Sequence, residues 1–115
     1  MIVQLNTDNH IEGRQELATY VSDLMNEQLG RFGERITRVE VHLADENADK
    51  KGDNDKRCTV EARLDGLPSI AVTHFAGTIH QAIDGATTKL VKTIDSKLGR
   101  LEDRNAPASR GTIES

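Results

Sequence analysis

The sequence is poor in the residues that build large or cross-linked cores. Only 3% of its 115 residues are aromatic, with no Trp, one Tyr and two Phe, and there is a single cysteine. A lone cysteine excludes an internal disulfide and favours a reducing compartment. The hydrophobic share of 36% therefore has to form a thin aliphatic core, which suits one domain with a single sheet covered on one face.

Long apolar runs and an excess of positive charge are also missing. No stretch approaches the roughly 18 apolar residues of a membrane span, and the amino terminus lacks a basic segment followed by an apolar one. We therefore expect an untargeted cytoplasmic protein without membrane contact. The formal net charge is −4, so any attraction to nucleic acid requires local segregation of charge.

Four segments have the composition and alternation of β-strands. In the second of them Val39, Val41 and Leu43 alternate with polar or charged residues, which is the period-two pattern of a strand with one buried face. The third segment repeats this pattern after a polar connection. Strands are expected at about residues 2–5, 36–43, 57–64 and 69–75.

Two segments have helical periodicity instead. The first runs from about Gly13 to Leu29, and Gly30 supplies a stop signal. The second begins at Thr78, whose hydroxyl can accept from the amide of Gln81, and its apolar stripe continues to near Arg104.

The resulting order, β-α-β-β-β-α, predicts an α+β domain with one four-stranded sheet and two helices packed on one face. The outward residues of the strands are hydrophilic, as a solvated second face requires. The domain is expected to span residues 1–104. Residues 105–115 are small and polar, and we expect them to form a mobile C-terminal tail.

The polar connection between the second and third strands has part of a calcium-loop pattern. Asp45, Asn47 and Asp49 occupy the first three ligand positions, but Lys50 and Lys56 stand where the glycine and the bidentate glutamate belong. A solvated hairpin connection is therefore the favoured interpretation, and no metal site is predicted.

The nucleophiles and histidines give no catalytic pattern. Cys58 falls on the apolar side of its strand, where desolvation makes a thiol unreactive. Alternation turns His74 toward the core, where a neutral, hydrogen-bonded imidazole is favoured over a metal ligand or a base. No nucleophile elbow or phosphate-binding loop is present. We therefore expect no enzyme activity, no catalytic residue, no cofactor and no small-molecule substrate.

The last helix has the most informative charge pattern. At 100° per residue its cations border one side of the apolar stripe, while Asp84, Asp95 and Glu102 lie on the other side, and only Asp103 breaks the pattern. Such a ridge can follow several phosphates of folded RNA, although a solvated face with cations near the helix C-terminus fits the same pattern. The candidate RNA-binding residues, including three arginines of the open sheet face, are Lys89, Lys92, Lys97, Arg100, Arg104, Arg38, Arg57 and Arg63.

Three short motifs are shared with a known family. They are the His10-Ile11-Glu12 loop, the strand Arg35-Ile36-Thr37-Arg38-Val39-Glu40-Val41, and Gln81-Ala82-Ile83-Asp84 leading to Lys89-Leu90. Through them, residues 2 to 104 resemble the short form of the ribosome hibernation promoting and ribosome-associated inhibitor proteins, also called sigma-54 modulation proteins.

This resemblance implies a fold similar to double-stranded-RNA-binding domains and a non-enzymatic action. Family members lodge in the messenger and transfer-RNA channel of the small ribosomal subunit and block translation sterically under stress or in stationary phase. The implied partners are the small ribosomal subunit and its rRNA. The basic positions of the family carry over to Lys89 and Lys92, and Lys97 lies in the same stretch, whereas Arg100 and Arg104 rest on the helical wheel alone.

The sequence also departs from that family. The last helix is less basic than is usual, the connection over residues 45–56 is longer, and the extra domain by which long members pair ribosomes is not expected here. An alternative is therefore a protein-interaction or regulatory module on the same fold without ribosome binding. In that alternative the acidic connection and the open sheet face bind a regulatory partner or a second copy of the chain, so self-association is possible, although nothing in the sequence indicates it.

Overall fold

The described residues form the six predicted helices and strands in the predicted order. A short 3-10 segment follows the first helix. The structure is a computed structural model that describes residues 1–8, 11–46 and 55–105, and of residues 100–105 the backbone only. The elements are β1 (Ile2–Thr7), α1 (Arg14–Leu29), the 3-10 segment (Gly30–Arg35), β2 (Ile36–Asp45), β3 (Lys56–Leu64), β4 (Leu67–Ala76) and α2 (Ile79–Asn105).

The four strands form one mixed sheet in the order β1-β2-β3-β4. β1 runs parallel to β2, and β2, β3 and β4 are antiparallel neighbours. A parallel pair needs a crossover connection, which α1 supplies, whereas the antiparallel strands follow one another directly. The predicted α+β fold with one four-stranded sheet is confirmed.

The core lies between the sheet and the two helices. Val39 and Val41 of β2 and Val60 of β3 are fully buried, so the period-two pattern does mark the covered face. Each helix adds its apolar stripe from above, and α2 packs on β3 and β4 while α1 packs on β1. The stripes consist of Leu17, Val21, Met25 and Leu29 in α1 and of Ala82, Ile83, Ala86, Leu90, Ile94 and Leu98 in α2.

The structure corrects the ends of two predicted strands. Asn6 and Thr7, which are turn-prone by composition, belong to β1 because both pair with β2. β4 begins at Leu67 and includes Pro68. Proline is tolerated there because β4 is an edge strand, where one row of backbone amides needs no ladder partner.

The helix boundaries follow the predicted signals. The hydroxyl of Thr78 accepts a hydrogen bond from the amide of Gln81 at 3.1 Å, which confirms the cap of α2. α1 ends at Leu29, and the 3-10 segment then turns the chain into β2 through Gly33, whose φ of 60° suits glycine.

α2 passes very close to β4 at Gly85. A methyl group at that position would overlap the imidazole of His74. His74 is half-buried on the covered side of the sheet, opposite the buried Cys58 of β3, as its place in the alternation predicts. Glycine therefore permits the close contact between this helix and the edge strand.

Several predictions fall outside the described residues. They concern His10, the central part of the polar connection (residues 47–54), the tail after residue 105, and the side chains of residues 100–105. None of the helices in the described ranges is long and apolar enough to cross a membrane.

Candidate nucleic-acid interface on the last helix

Three of the predicted RNA-binding cations lie on the solvent-exposed side of α2. Lys89, Lys92 and Lys97 are exposed, whereas Leu90 and Ile94 of the same turns are fully buried. The structure therefore places these three lysines at exposed positions along one helix, and we refer to Lys89, Lys92 and Lys97 as the α2 ridge.

The three lysines differ in their surroundings. The ammonium group of Lys89 donates a hydrogen bond to the backbone carbonyl of Thr73 at 3.0 Å, which places it over the edge of β4. Within the described part of the chain, Lys92 and Lys97 form no hydrogen bond or ion pair. Lys92 and Lys97 can therefore turn toward an external phosphate without losing an internal contact.

Two acidic residues of α2, Asp84 and Asp95, are occupied by partners in α1 and in the 3-10 segment. Asp84 accepts a hydrogen bond from the hydroxyl of Tyr20, and Asp95 forms an ion pair with Arg31 at 2.5 Å. The hydrogen bond to Asp84, helped by partial burial, raises the pKa of Tyr20 to about 12. Both carboxylates are therefore held by neighbouring elements, Asp84 by α1 and Asp95 by the 3-10 segment.

Arg100 and Arg104 continue the ridge only by position. The backbone of α2 remains helical through Asn105, so both residues lie on the helix as predicted, but their side chains are outside the described part. Their contact with RNA stays a prediction.

The arginines of the sheet lie on its open face, with the sheet between them and the α2 ridge. Arg38 donates to Glu40 at 2.8 Å, and Arg57 pairs with Glu46 at 3.1 Å. The hydrogen bond from Arg38 lowers the pKa of Glu40. The structure therefore does not join these arginines to the ridge, and a role for Arg38, Arg57 and Arg63 in RNA binding stays a separate prediction.

The Cys58 thiol and the possible metal ligands form no reactive site in the described residues. Cys58 is fully buried, and burial raises the pKa of its thiol to about 12, so the thiolate is scarce at neutral pH. In the described ranges no group of three or more His, Cys, Asp or Glu residues is placed to hold a metal ion.

Arg31 is a site residue that the sequence pattern does not reveal. It lies in the 3-10 segment, where its guanidinium group stacks on Phe32 at 4.4 Å from the ring centroid and pairs with Asp95. Six residues are too few for a periodic pattern, and Asp95 is 64 positions away. The only local signal is an arginine next to an aromatic residue after a helix stop.

Ammonium groups on an exposed helix bind phosphate as point charges rather than through a fixed fork of donors. Such contacts position a protein on a nucleic acid without reading its sequence. The α2 ridge is therefore suited to the backbone of folded RNA, whose grooves present phosphates and hydroxyl groups.

Two solved structures have a similar fold. The N-terminal domain of Protein Y from Thermus thermophilus matches with a TM-score of 0.66 at 20% identity, over 84% of this chain and 98% of that domain. A ribosomal subunit interface protein from Coxiella burnetii matches with a TM-score of 0.62 at 13% identity, over 86% of this chain and 99% of that protein.

The comparison with curated proteins gives no match. A family model, in contrast, matches residues 6–102, and it describes sigma 54 modulation proteins and S30EA ribosomal proteins, which are ribosome-associated. The matched range includes α1, the three antiparallel strands and α2 as far as residue 102. The resemblance seen in the sequence motifs is thereby confirmed, and the chain belongs to the sigma 54 modulation protein / S30EA ribosomal protein family.

Proposed function

We propose that this protein binds the small ribosomal subunit through its rRNA and sterically inhibits translation under stress or in stationary phase. The observation that carries the proposal is the α2 ridge, in which Lys89, Lys92 and Lys97 face solvent, while Asp84 and Asp95 of the same helix are held by α1 and by the 3-10 segment. Its place of action is the cytoplasm, where ribosomes are found.

The net charge of −4 does not oppose this interaction. Asp95 stands three positions from Lys92 on α2, within the Debye length of about 8 Å at physiological ionic strength. Its negative charge is partly compensated by the ion pair with Arg31, which weakens its repulsion of a phosphate at Lys92. From Lys89 to Lys97 the ridge rises about 12 Å, which is enough to contact more than one phosphate.

The inhibition that we propose needs binding alone. A folded domain that occupies the messenger and transfer-RNA channel excludes other ligands by its volume, and no covalent step is involved. The similar protein from Coxiella burnetii is described as a ribosomal subunit interface protein, which is a location on the ribosome. We extend that location to this chain on the strength of the shared family and of the ridge.

Sedimentation with purified ribosomal subunits tests the proposal. The full chain should sediment with small subunits at low salt and be released as the salt concentration rises, because phosphate contacts weaken with salt. Large subunits alone serve as the control. A chain that stays at the top of the gradient with small subunits at low salt would contradict the proposal, and a nuclease-resistant complex with one non-ribosomal protein would favour the protein-interaction alternative.

A further inference from the structure

A groove opens at the N-terminal end of α2, at a distance from the ridge. It has a volume of about 430 Å³ and lies between the loop before α1, the first turns of α1, the adjoining ends of β2 and β3, and the first turn of α2. Its floor is apolar, since Ile11, Leu17 and Ile79 line it and belong to the core or pack against it. A groove of this size accepts one or two large side chains of a partner.

The rim of the groove carries unmatched negative charge. Glu12 and Glu16 line it and are both exposed, and neither forms an ion pair within the described part of the chain. Lys56 is the cation of the groove, but its ammonium group lies 2.8 Å from Asp55 and 3.4 Å from Asp45. Its charge is therefore already compensated from within, and the two glutamates are left to act on an occupant.

His80 forms the side of the groove that belongs to α2. Its ring packs edge-to-face against Tyr20, with 4.6 Å between the ring centroids. This contact fixes the imidazole next to the apolar floor, so the groove has one wall from each helix.

An apolar floor below exposed carboxylates selects an occupant with apolar and cationic side chains on the same short stretch. Phosphates are repelled by such a rim, which separates this surface from the RNA-binding ridge. We infer that this groove, lined by Ile11, Glu12, Glu16, Leu17 and Ile79, docks a basic, extended protein segment whose apolar side chain enters the groove.

The placement of the groove fits a surface made of both RNA and protein. His80 and Lys92 are 12 positions apart on α2, which corresponds to about 18 Å along the helix. The groove, with the exposed carboxylates of Glu12 and Glu16 on its rim, thus lies beside the start of α2, and the exposed ammonium groups lie further along that helix. The inference rests on the proposed function for its setting, because a ribosomal surface offers phosphates and basic protein segments within such a distance.

Peptide binding to the purified full chain tests the groove directly. The probe is a fluorescein-labelled octapeptide of alternating lysine and leucine, followed by fluorescence anisotropy. We expect saturable binding, weaker binding of a lysine–glycine peptide, and no binding of a glutamate–leucine peptide. No saturable binding of the lysine–leucine peptide, or equal binding of all three peptides, would overturn the inference.

Charge-removing variants locate the binding. Glu12→Gln combined with Glu16→Gln should lower the affinity for the lysine–leucine peptide about fivefold, because two exposed ion pairs are lost. The matched control is Asp23→Asn combined with Glu27→Gln, which removes the same charge from exposed positions further along α1. Unchanged binding by the control supports the inference. An equal loss in both variants, or no loss in the groove variant, would overturn it.

This experiment separates the two proposals. It uses no ribosome and leaves Lys89, Lys92 and Lys97 intact. If the chain sediments with small subunits but does not bind the peptide, only the inference about the groove is refuted. If it binds the peptide but does not sediment, the ribosomal role is refuted and the groove remains a protein-binding site.

Discussion

Tyr20 connects the two helices through the hydrogen bond that its hydroxyl donates to Asp84. Tyr20→Phe should lower the free energy of unfolding by about 1 kcal/mol at pH 7, which is typical for one hydrogen bond that is partly exposed. The variant keeps the ring contact with His80, so its fold should be intact. Urea denaturation followed by circular dichroism measures the difference.

The same pair predicts a pH dependence. The pKa of Tyr20 is raised from 10.0 to about 12 in the folded state, so its contribution is fully present below pH 10 and is lost as the pH rises through the folded pKa. The difference in stability between the wild type and Tyr20→Phe should therefore shrink between pH 10 and 12. A difference that stays constant over this range would show that the hydrogen bond to Asp84 does not raise the pKa of the Tyr20 hydroxyl.

For single residues, the sequence predicts which face of a helix a side chain lies on, but not which residue it pairs with. The helical wheel places Asp84 and Asp95 across the apolar stripe from Lys89 and Lys97, and in the structure the two acids contact α1 and the 3-10 segment. It cannot identify Tyr20 and Arg31 as their partners, because each pair is separated by 64 positions. Periodicity describes the surface of one helix, whereas a pairing depends on how two helices pack.

Between elements, the contact of α2 with β4 depends on Gly85. Gly85→Ala adds a methyl group that overlaps the imidazole of His74. Overpacking of this kind costs about 1–3 kcal/mol, and the better helix propensity of alanine returns about 1 kcal/mol. We therefore expect a net loss of stability in thermal unfolding.

Gly99→Ala provides the matched control on the same helix. A methyl group at Gly99 meets nothing within 4 Å, so this substitution should stabilise the protein by up to about 1 kcal/mol through helix propensity. Equal stabilisation by both substitutions would show that Gly85 does not pack closely against His74.

The order of the elements was predictable because each long element has its own period and the cap at Thr78 has a local signature. The extension of β1 through Asn6 and Thr7 was not, because pairing with β2 overrides their preference for turns. The 3-10 segment was not predictable either, since Gly30 and Gly33 indicate a stop but not the path that follows.

For the whole molecule, the arrangement of charge matters more than its sum. A net charge of −4 argues against general binding to nucleic acid. The structure nevertheless separates exposed lysines on α2 from the carboxylates at the α1 contact and from the acidic rim of the groove. The ridge follows from the helical wheel, whereas the groove joins four elements and has no signature in any one of them.

The central claim is that the α2 ridge contacts phosphates of the small subunit. Lys92→Gln combined with Lys97→Gln removes two exposed charges and keeps the helix-forming stems. Lys89 is left in place because it also holds the edge of β4. Asp84→Asn combined with Asp95→Asn is the control on the other flank, and it retains oxygens that can accept from Tyr20 and Arg31.

The decisive measurement is the affinity of these two double variants for purified small subunits as a function of salt concentration. The lysine variant should bind more weakly, and its slope of log affinity against log salt should be flatter by about 1.5, since each lost contact releases about 0.7 to 0.9 counterion. The aspartate variant should bind as the wild type does or slightly more tightly. Unchanged affinity and slope in a folded lysine variant, or equal losses in both variants, would contradict the claim.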